Sequence, residues 1–308
     1  MTSHHPRRAT RGLRSRAVAV AAGALALTLG ATVAASADSS TGTIGSEAAK
    51  HAAANKVAFS ASPNASDPNQ GWSFGINGRD SAGNLWFYEP KVGGGFAART
   101  KNGTGFSGAN AFFQNNSADT TVVNTYARFG GTLRIYGSSD GLIGTGWQVY
   151  NAFVTPGNIG GAVYPDLLAR DTSGNLWEYL SYSNGTFAHR TKIGGGWQIY
   201  TQIAGRGDLT GDGKADIVAR DKSGVLWLYK GTGNYKAPFS ARTRIGAGWN
   251  TYNKILGLGD TNGDGRNDLI ARDTKGNLYL YPGTGKASAP FGARQKIGYS
   301  WNSYNYLF

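Results

Sequence analysis

One phrase recurs along the chain and constrains its fold more than any other feature. It runs Arg-Asp, two turn residues, Gly, any residue, Leu, an aromatic, any residue, Tyr. It reads RDSAGNLWFY from Arg79, RDTSGNLWEY from Arg170, RDKSGVLWLY from Arg220 and RDTKGNLYLY from Arg272, with a shortened RFGGTLRIY from Arg128. The five arginines lie 49, 42, 50 and 52 residues apart. A period of this size means that each unit buries its apolar face against its neighbours, as in propellers, solenoids and arrays. Other landmarks keep step with the phrase. Apolar runs precede it at Asp166, Asp216 and Asp268. Phe96, Phe187, Phe239 and Phe291 follow it, each three residues before Arg99, Arg190, Arg242 and Arg294. A glycine-rich turn then leads to Trp147, Trp197, Trp249 and Trp301, with Phe106 in the first copy.

Within a copy, short alternating apolar stretches bounded by Gly, Asn, Asp and Ser read as strands. The Asp-x-x-Gly step reads as a hairpin in which glycine supplies positive φ, and 47 glycines in the chain suit that turn density. About four strands in about 50 residues is the size of one propeller blade. The expected fold is therefore all-β: a five-bladed β-propeller of four-stranded antiparallel blades, its ring closed by a terminal strand. The expected blades are about 55–106, 107–147, 148–197, 198–249 and 250–308, the second being abbreviated. Two segments compete for the closing strand, Asn302 to Phe308 and Asn55 to Ser60, and the C-terminal one is preferred because it would otherwise be an orphaned edge.

Between the first and second strands of two copies stands a metal-ligand pattern. Asp260, Asn262, Asp264 and Asp268 surround Gly265 in the fifth copy; Asp208, Thr210, Asp212 and Asp216 surround Gly213 in the fourth. Calcium takes about six to eight oxygens, and alternate residues of a tight loop turn their carboxylates to one centre. Backbone carbonyls at Arg266 and Lys214 would add an oxygen each. The third copy aligns Asn158, Gly160, Ala162 and Asp166 there, too poor in carboxylate to bind well. These loops, GDxxGDGxxD from Gly207 and Gly259, resemble the FG-GAP/VCBS repeats of integrin-like propellers, and in particular the secreted repeat proteins of actinomycetes. The resemblance spans about residues 55–308 and is strongest in copies three to five. It implies calcium in a structural role and a recognition or adhesion function. Integrin heads have seven blades, whereas five copies are present here.

The N-terminus has the anatomy of a secretory signal: five arginines between Arg7 and Arg16, an Ala-rich apolar stretch from Ala17 to Ala35, and small residues before a cleavage point after Ala37. Residues 1–37 are thus expected to be removed, with 38–54 as a linker and 55–308 as the propeller. Secretion to the extracellular space or the cell wall follows, with no membrane span after cleavage. Removing five of 31 basic residues and none of 18 acidic ones leaves +8. These charges are spread along the repeats, which favours a soluble basic surface over nucleic-acid binding. The chain has no cysteine, so its stability rests on core and metal.

Catalytic groups are scarce. After residue 37 the histidines are His51 and His189, and the glutamates are Glu47, Glu89 and Glu178. No nucleophile elbow, zinc-protease or nucleotide-loop motif is present. The reading is a monomeric, calcium-binding, non-catalytic recognition module for an extracellular glycan or other cell-surface polymer. Its rivals are a polysaccharide lyase or hydrolase on the same scaffold, and a protein-interaction or inhibitor module for another secreted protein. Trp147, Trp197, Trp249 and Trp301, following flexible turns, are the candidate sugar-stacking residues if they lie at a rim, with blade-to-blade packing the competing and heavier reading. Trp86, Trp177, Trp227 and Tyr279, inside the phrase, read as packing.

Overall fold

The computed structural model describes residues 43–44, 73–116, 123–137, 140–160 and 164–308. The chain divides into Met1–Asp38 and Ser39–Phe308, and every described residue belongs to the second unit. The expected signal segment, most of the linker and the Asn55 to Ser60 alternative lie outside the described residues. No helix among the described residues is long and apolar enough to cross a membrane.

Each repeat phrase folds into the middle of a blade. In blade 3 the order is Tyr150–Gly157, Asp166–Asp171, Leu176–Tyr179 and Thr191–Gly194, each antiparallel to the next. Blade 2 (Ala109–Asn116, Val123–Phe129, Thr132–Tyr136, Gly141–Gly144), blade 4 (Tyr200–Ala204, Ile217–Asp221, Leu226–Tyr229, Thr243–Gly246) and blade 5 (Tyr252–Gly259, Asp268–Asp273, Leu278–Tyr281, Gln295–Gly298) repeat this order. Blade 1 holds Ile76–Asp80, Leu85–Tyr88 and Thr100–Thr104, and takes its fourth strand, Tyr304–Leu307, from the C-terminus. The ring is closed by that strand, as the sequence led us to expect. Thr43–Ile44, within the expected linker, adds a fifth strand beside Thr100–Thr104.

The Asp of the phrase shapes its own hairpin. In blade 3 the Asp171 carboxylate accepts the Asn175 backbone N–H at 2.8 Å and the Trp177 indole N–H at 2.8 Å. Gly174 in the turn has φ +81°, and a Cβ there would meet the Gln198 side chain, so glycine is required twice over.

The Arg of the phrase holds the next blade. Arg170 donates from Nη1 to the carbonyls of Trp197 and Tyr200, at 3.1 and 2.5 Å, while its Nε bonds Asn151. Arg79, Arg128, Arg220 and Arg272 make the same pair of carbonyl bonds to Phe106 and Ala109, Trp147 and Tyr150, Trp249 and Tyr252, and Trp301 and Tyr304. Arg128 keeps this role although its copy has lost the Asp.

The core is distributed rather than central. Five apolar clusters each combine side chains of two adjoining blades; Val154, Leu168, Trp197, Ile203 and Ile217, for example, join blades 3 and 4. The innermost strands face a narrow channel at the ring centre, lined by Phe112, Phe153, Ile203, Lys254, Tyr306 and Phe308 among others. Beside it, the buried Arg206 guanidinium lies 3.5 Å from the Phe74 ring centroid, and burial pulls it down to about 9.

Candidate functional site

The aspartate loops lie where expected, at the first-to-second strand junctions of blades 4 and 5. In blade 4, carboxylate oxygens of Asp208, Asp212 and Asp216 all lie within 4.8 Å of one another. Positive φ at Gly211 (+81°) and Gly213 (+79°) lets the backbone coil around them. Asp208 accepts N–H bonds from Thr210, Gly211 and Gly213 at 2.6–2.8 Å, and Asp216 accepts from Leu209 and Gly231. Burial nevertheless pushes Asp216 up to about 7 against those bonds, with Asp208 and Asp212 adding repulsion. A buried carboxylate beside two others, with no cationic partner among the described residues, fits a hard divalent cation that would remove the penalty. Thr210 is buried, with its hydroxyl turned to Asp208; Lys214 is exposed.

Blade 5 is arranged more loosely. Asp260 accepts from Gly263, Asp264 and Gly265, while Asp268 accepts from Thr261 and Gly283. Burial raises Asp268 to about 7. Asp264, however, is exposed and faces Asn262, whose amide donates to it at 3.2 Å, and the neighbouring Arg266 is exposed as well. Among the described residues the blade 4 trio is the group of three that converges, although blade 5 carries the fuller sequence pattern.

Of the two readings open for the tryptophans, a sugar-stacking rim or core packing, the structure shows packing. Trp147, Trp197, Trp249 and Trp301 are each 7% exposed. Each opens a short 3-10 turn behind a left-handed residue, Gly146, Gly196, Gly248 or Ser300. That reversal turns the indole into an inter-blade cluster, where its ring centroid sits 4.5–5.0 Å from that of Tyr179, Tyr229, Tyr281 or Tyr88. No indole face is left for a sugar.

The aromatics expected as packing do pack, each against the edge of an inter-blade cluster, and remain partly exposed. Trp86, Trp177 and Trp227 each lie under a guanidinium 4.1 Å from the ring centroid, that of Arg99, Arg190 and Arg242, and Tyr279 lies 4.7 Å from Arg294. All four arginines are exposed. Each donates to a tyrosine hydroxyl, Tyr304, Tyr150, Tyr200 or Tyr252, and that hydroxyl pairs with Tyr88, Tyr179, Tyr229 or Tyr281 at 2.5–2.6 Å. Strand pairing sets a second cation opposite each aromatic: Lys101, Lys192, Arg244 and Lys296. An aspartate stands at the aromatic's edge, Asp80, Asp171, Asp221 or Asp273. Burial opposes ionisation of Asp171, but bonds from Trp177 and Asn175 prevail and hold it below its ordinary value. Blade 2 departs from the set, with Arg134 opposite Leu142 in the aromatic's place. The signal for this cluster was the Phe-x-x-Arg spacing followed two residues on by Lys or Arg.

The matches to known proteins follow the repeat. Residues 208–271 match the FG-GAP-like repeat family. The FG-GAP-like segment starts at the first aspartate of the blade 4 loop and ends on the second strand of blade 5, so it takes in both aspartate loops. A comparison with curated proteins finds no match. Similar solved structures include the BP39L lectin from Burkholderia pseudomallei, at 14% identity and TM-score 0.43, over 76% of this chain and 67% of that one. Human WBSCR16 aligns at 9% identity and TM-score 0.33, over 73% and 65%. BBS1N, from its complex with ARL6DN, aligns at 11% and 0.35, over 74% and 81%.

Proposed function

We propose that the protein is a secreted, non-catalytic propeller that recognises an extracellular carbohydrate polymer rich in acidic groups, with calcium stiffening its aspartate loops. The observation that carries this reading is the fourfold repetition of one exposed cluster. Blades 1, 3, 4 and 5 each present a guanidinium, a second cation and a half-exposed aromatic ring in the same arrangement. Guanidinium matches a carboxylate or sulfate in a planar, two-pronged fashion, and the ring beneath it holds the guanidinium in place by cation–π attraction. Four copies fixed on one ring gain avidity when the ligand itself repeats.

The test is retention on immobilised hyaluronate, with dextran as the neutral comparison, over a range of salt. Hyaluronate is expected to retain the protein at low salt and release it at high salt, while dextran does not. Replacing Arg190 and Arg242 together by Ala is expected to weaken retention at least about tenfold, because losing two of four sites acts multiplicatively. Failure of the wild type to bind any acidic polysaccharide at low salt would sink the reading.

A further inference from the structure

Blade 3 lacks the carboxylate-rich loop, yet it buries an acidic pair of its own. Asp166 is 0% exposed and Glu178 is 1% exposed. Asp166 Oδ2 accepts the backbone N–H groups of Ile159 and Gly160 at 2.9 and 3.0 Å. Its Oδ1 has no hydrogen-bond partner, and neither does Oε1 or Oε2 of Glu178. In blades 4 and 5 the matching Oδ1 is satisfied by the backbone N–H of Gly231 or Gly283; Ser181 holds that position here, its hydroxyl donating to the Pro165 carbonyl and accepting from Asn115, and Asp166 Oδ1 receives no bond from it.

Strand register places the two carboxylates together. Glu178 pairs with Leu168, two residues from Asp166 on the same sheet face. At Glu178's position blades 4 and 5 carry Leu228 and Leu280, both buried. The reciprocal change lies in the loop, where Gly160 stands in place of Thr210 and Asn262. A Cβ on Gly160 would come within 2.7 Å of Glu178 Oε1. The glutamate therefore reaches into the space that a loop side chain holds in the other blades.

We propose that Asp166 and Glu178 form a divalent-cation site in blade 3, in which a carboxylate from the third strand replaces those missing from the loop. Three carboxyl oxygens that are buried, close together and without a hydrogen-bond partner can all be ionised only beside a counter-charge, and no Lys or Arg among the described residues is bonded to them. Oxygen-only donors select a hard cation such as calcium over a thiophilic or imidazole-seeking metal. Asn158 stands at the sequence position of Asp208 and Asp260 and is buried.

The proposal is independent of polymer binding and is tested on the full chain with calcium alone. Equilibrium dialysis at pH 7.5 compares wild type with Glu178→Leu, Glu178→Gln and Asp166→Asn. Each variant is expected to bind one calcium fewer per chain than wild type. Glu178→Leu, carrying the residue found in blades 4 and 5, is also expected to melt higher than wild type in chelator and to gain less from added calcium. Glu178→Gln keeps the side chain's shape and decides the question if the leucine variant does not fold. An unchanged calcium count in the glutamate variants would overturn the site and leave a shared proton as the neutralising species. Loss of hyaluronate retention with this calcium intact would count against the proposed function alone.

Discussion

At the scale of single residues, the chain spends its charged side chains on the backbone. Arg170 and its four counterparts bond carbonyls of the following blade, and the neighbouring Asp171 serves the hairpin rather than the arginine. The Arg-Asp dipeptide thus looks like an ion pair in sequence and works as two separate backbone clamps. Such charge-assisted bonds contribute about 1.5–3 kcal/mol each. One position breaks the local pattern. Ser300 sits at φ +63° where the other copies place Gly146, Gly196 and Gly248. A left-handed non-glycine residue costs roughly 1–2 kcal/mol. Ser300→Gly is therefore expected to raise the melting temperature by about 2–4 °C, the response to roughly 1 kcal/mol in a domain of this size, and calorimetry would show it. The exposed hydroxyl gives no compensating bond, because Ser303 Oγ donates to the Ser300 carbonyl, which the substitution keeps.

At the scale of elements, two loops of nearly the same sequence behave differently. The blade 4 trio converges, whereas Asp264 in blade 5 turns to its own neighbour Asn262. Asp212→Asn should therefore remove a larger part of the calcium-induced rise in melting temperature than Asp264→Asn does. In chelator both variants should stay within about 0.5 kcal/mol of wild type, since both side chains are exposed. An equal calcium response in Asp212→Asn and wild type would exclude the blade 4 loop as a binding site. The strands, the hairpins and the places of the aspartate loops were legible because each depends on residues close in sequence. Trp197 was not, because its burial depends on Tyr229 across the blade and on the turn at Gly196. Glu178 was not, because its meaning depends on strand register and on what Gly160 lacks.

At the scale of the whole molecule, the buried carboxylates couple stability to proton and metal together. Burial raises Asp166 to about 6, Asp216 and Asp268 to about 7 and Glu178 to about 8, the last also through repulsion from Asp166. In the unfolded chain such groups titrate near about 4, so without metal the folded state holds the extra protons. Their contribution is complete below about pH 4 and is lost as pH climbs through about 6–8. In chelator the melting temperature should fall by several degrees between pH 5 and 7.5, and saturating calcium should flatten that slope. Asp80, Asp171, Asp221 and Asp273 have lowered values. Their contribution is lost only as pH falls below the ordinary carboxylate range, outside this window.

Ring closure carries a consequence for how the molecule comes into being. Blade 1 borrows Tyr304–Leu307, so the earliest blade to be synthesised stays one strand short until the last one has been made. The cluster that joins blades 1 and 2 likewise waits for Phe308, which stacks on Phe112 with ring centroids 4.7 Å apart. During that interval an unpaired strand edge and an uncovered aromatic face stand open to any passing chain. The window of exposure is therefore the making of the chain itself, and the five residues Tyr304–Phe308 bring it to a close.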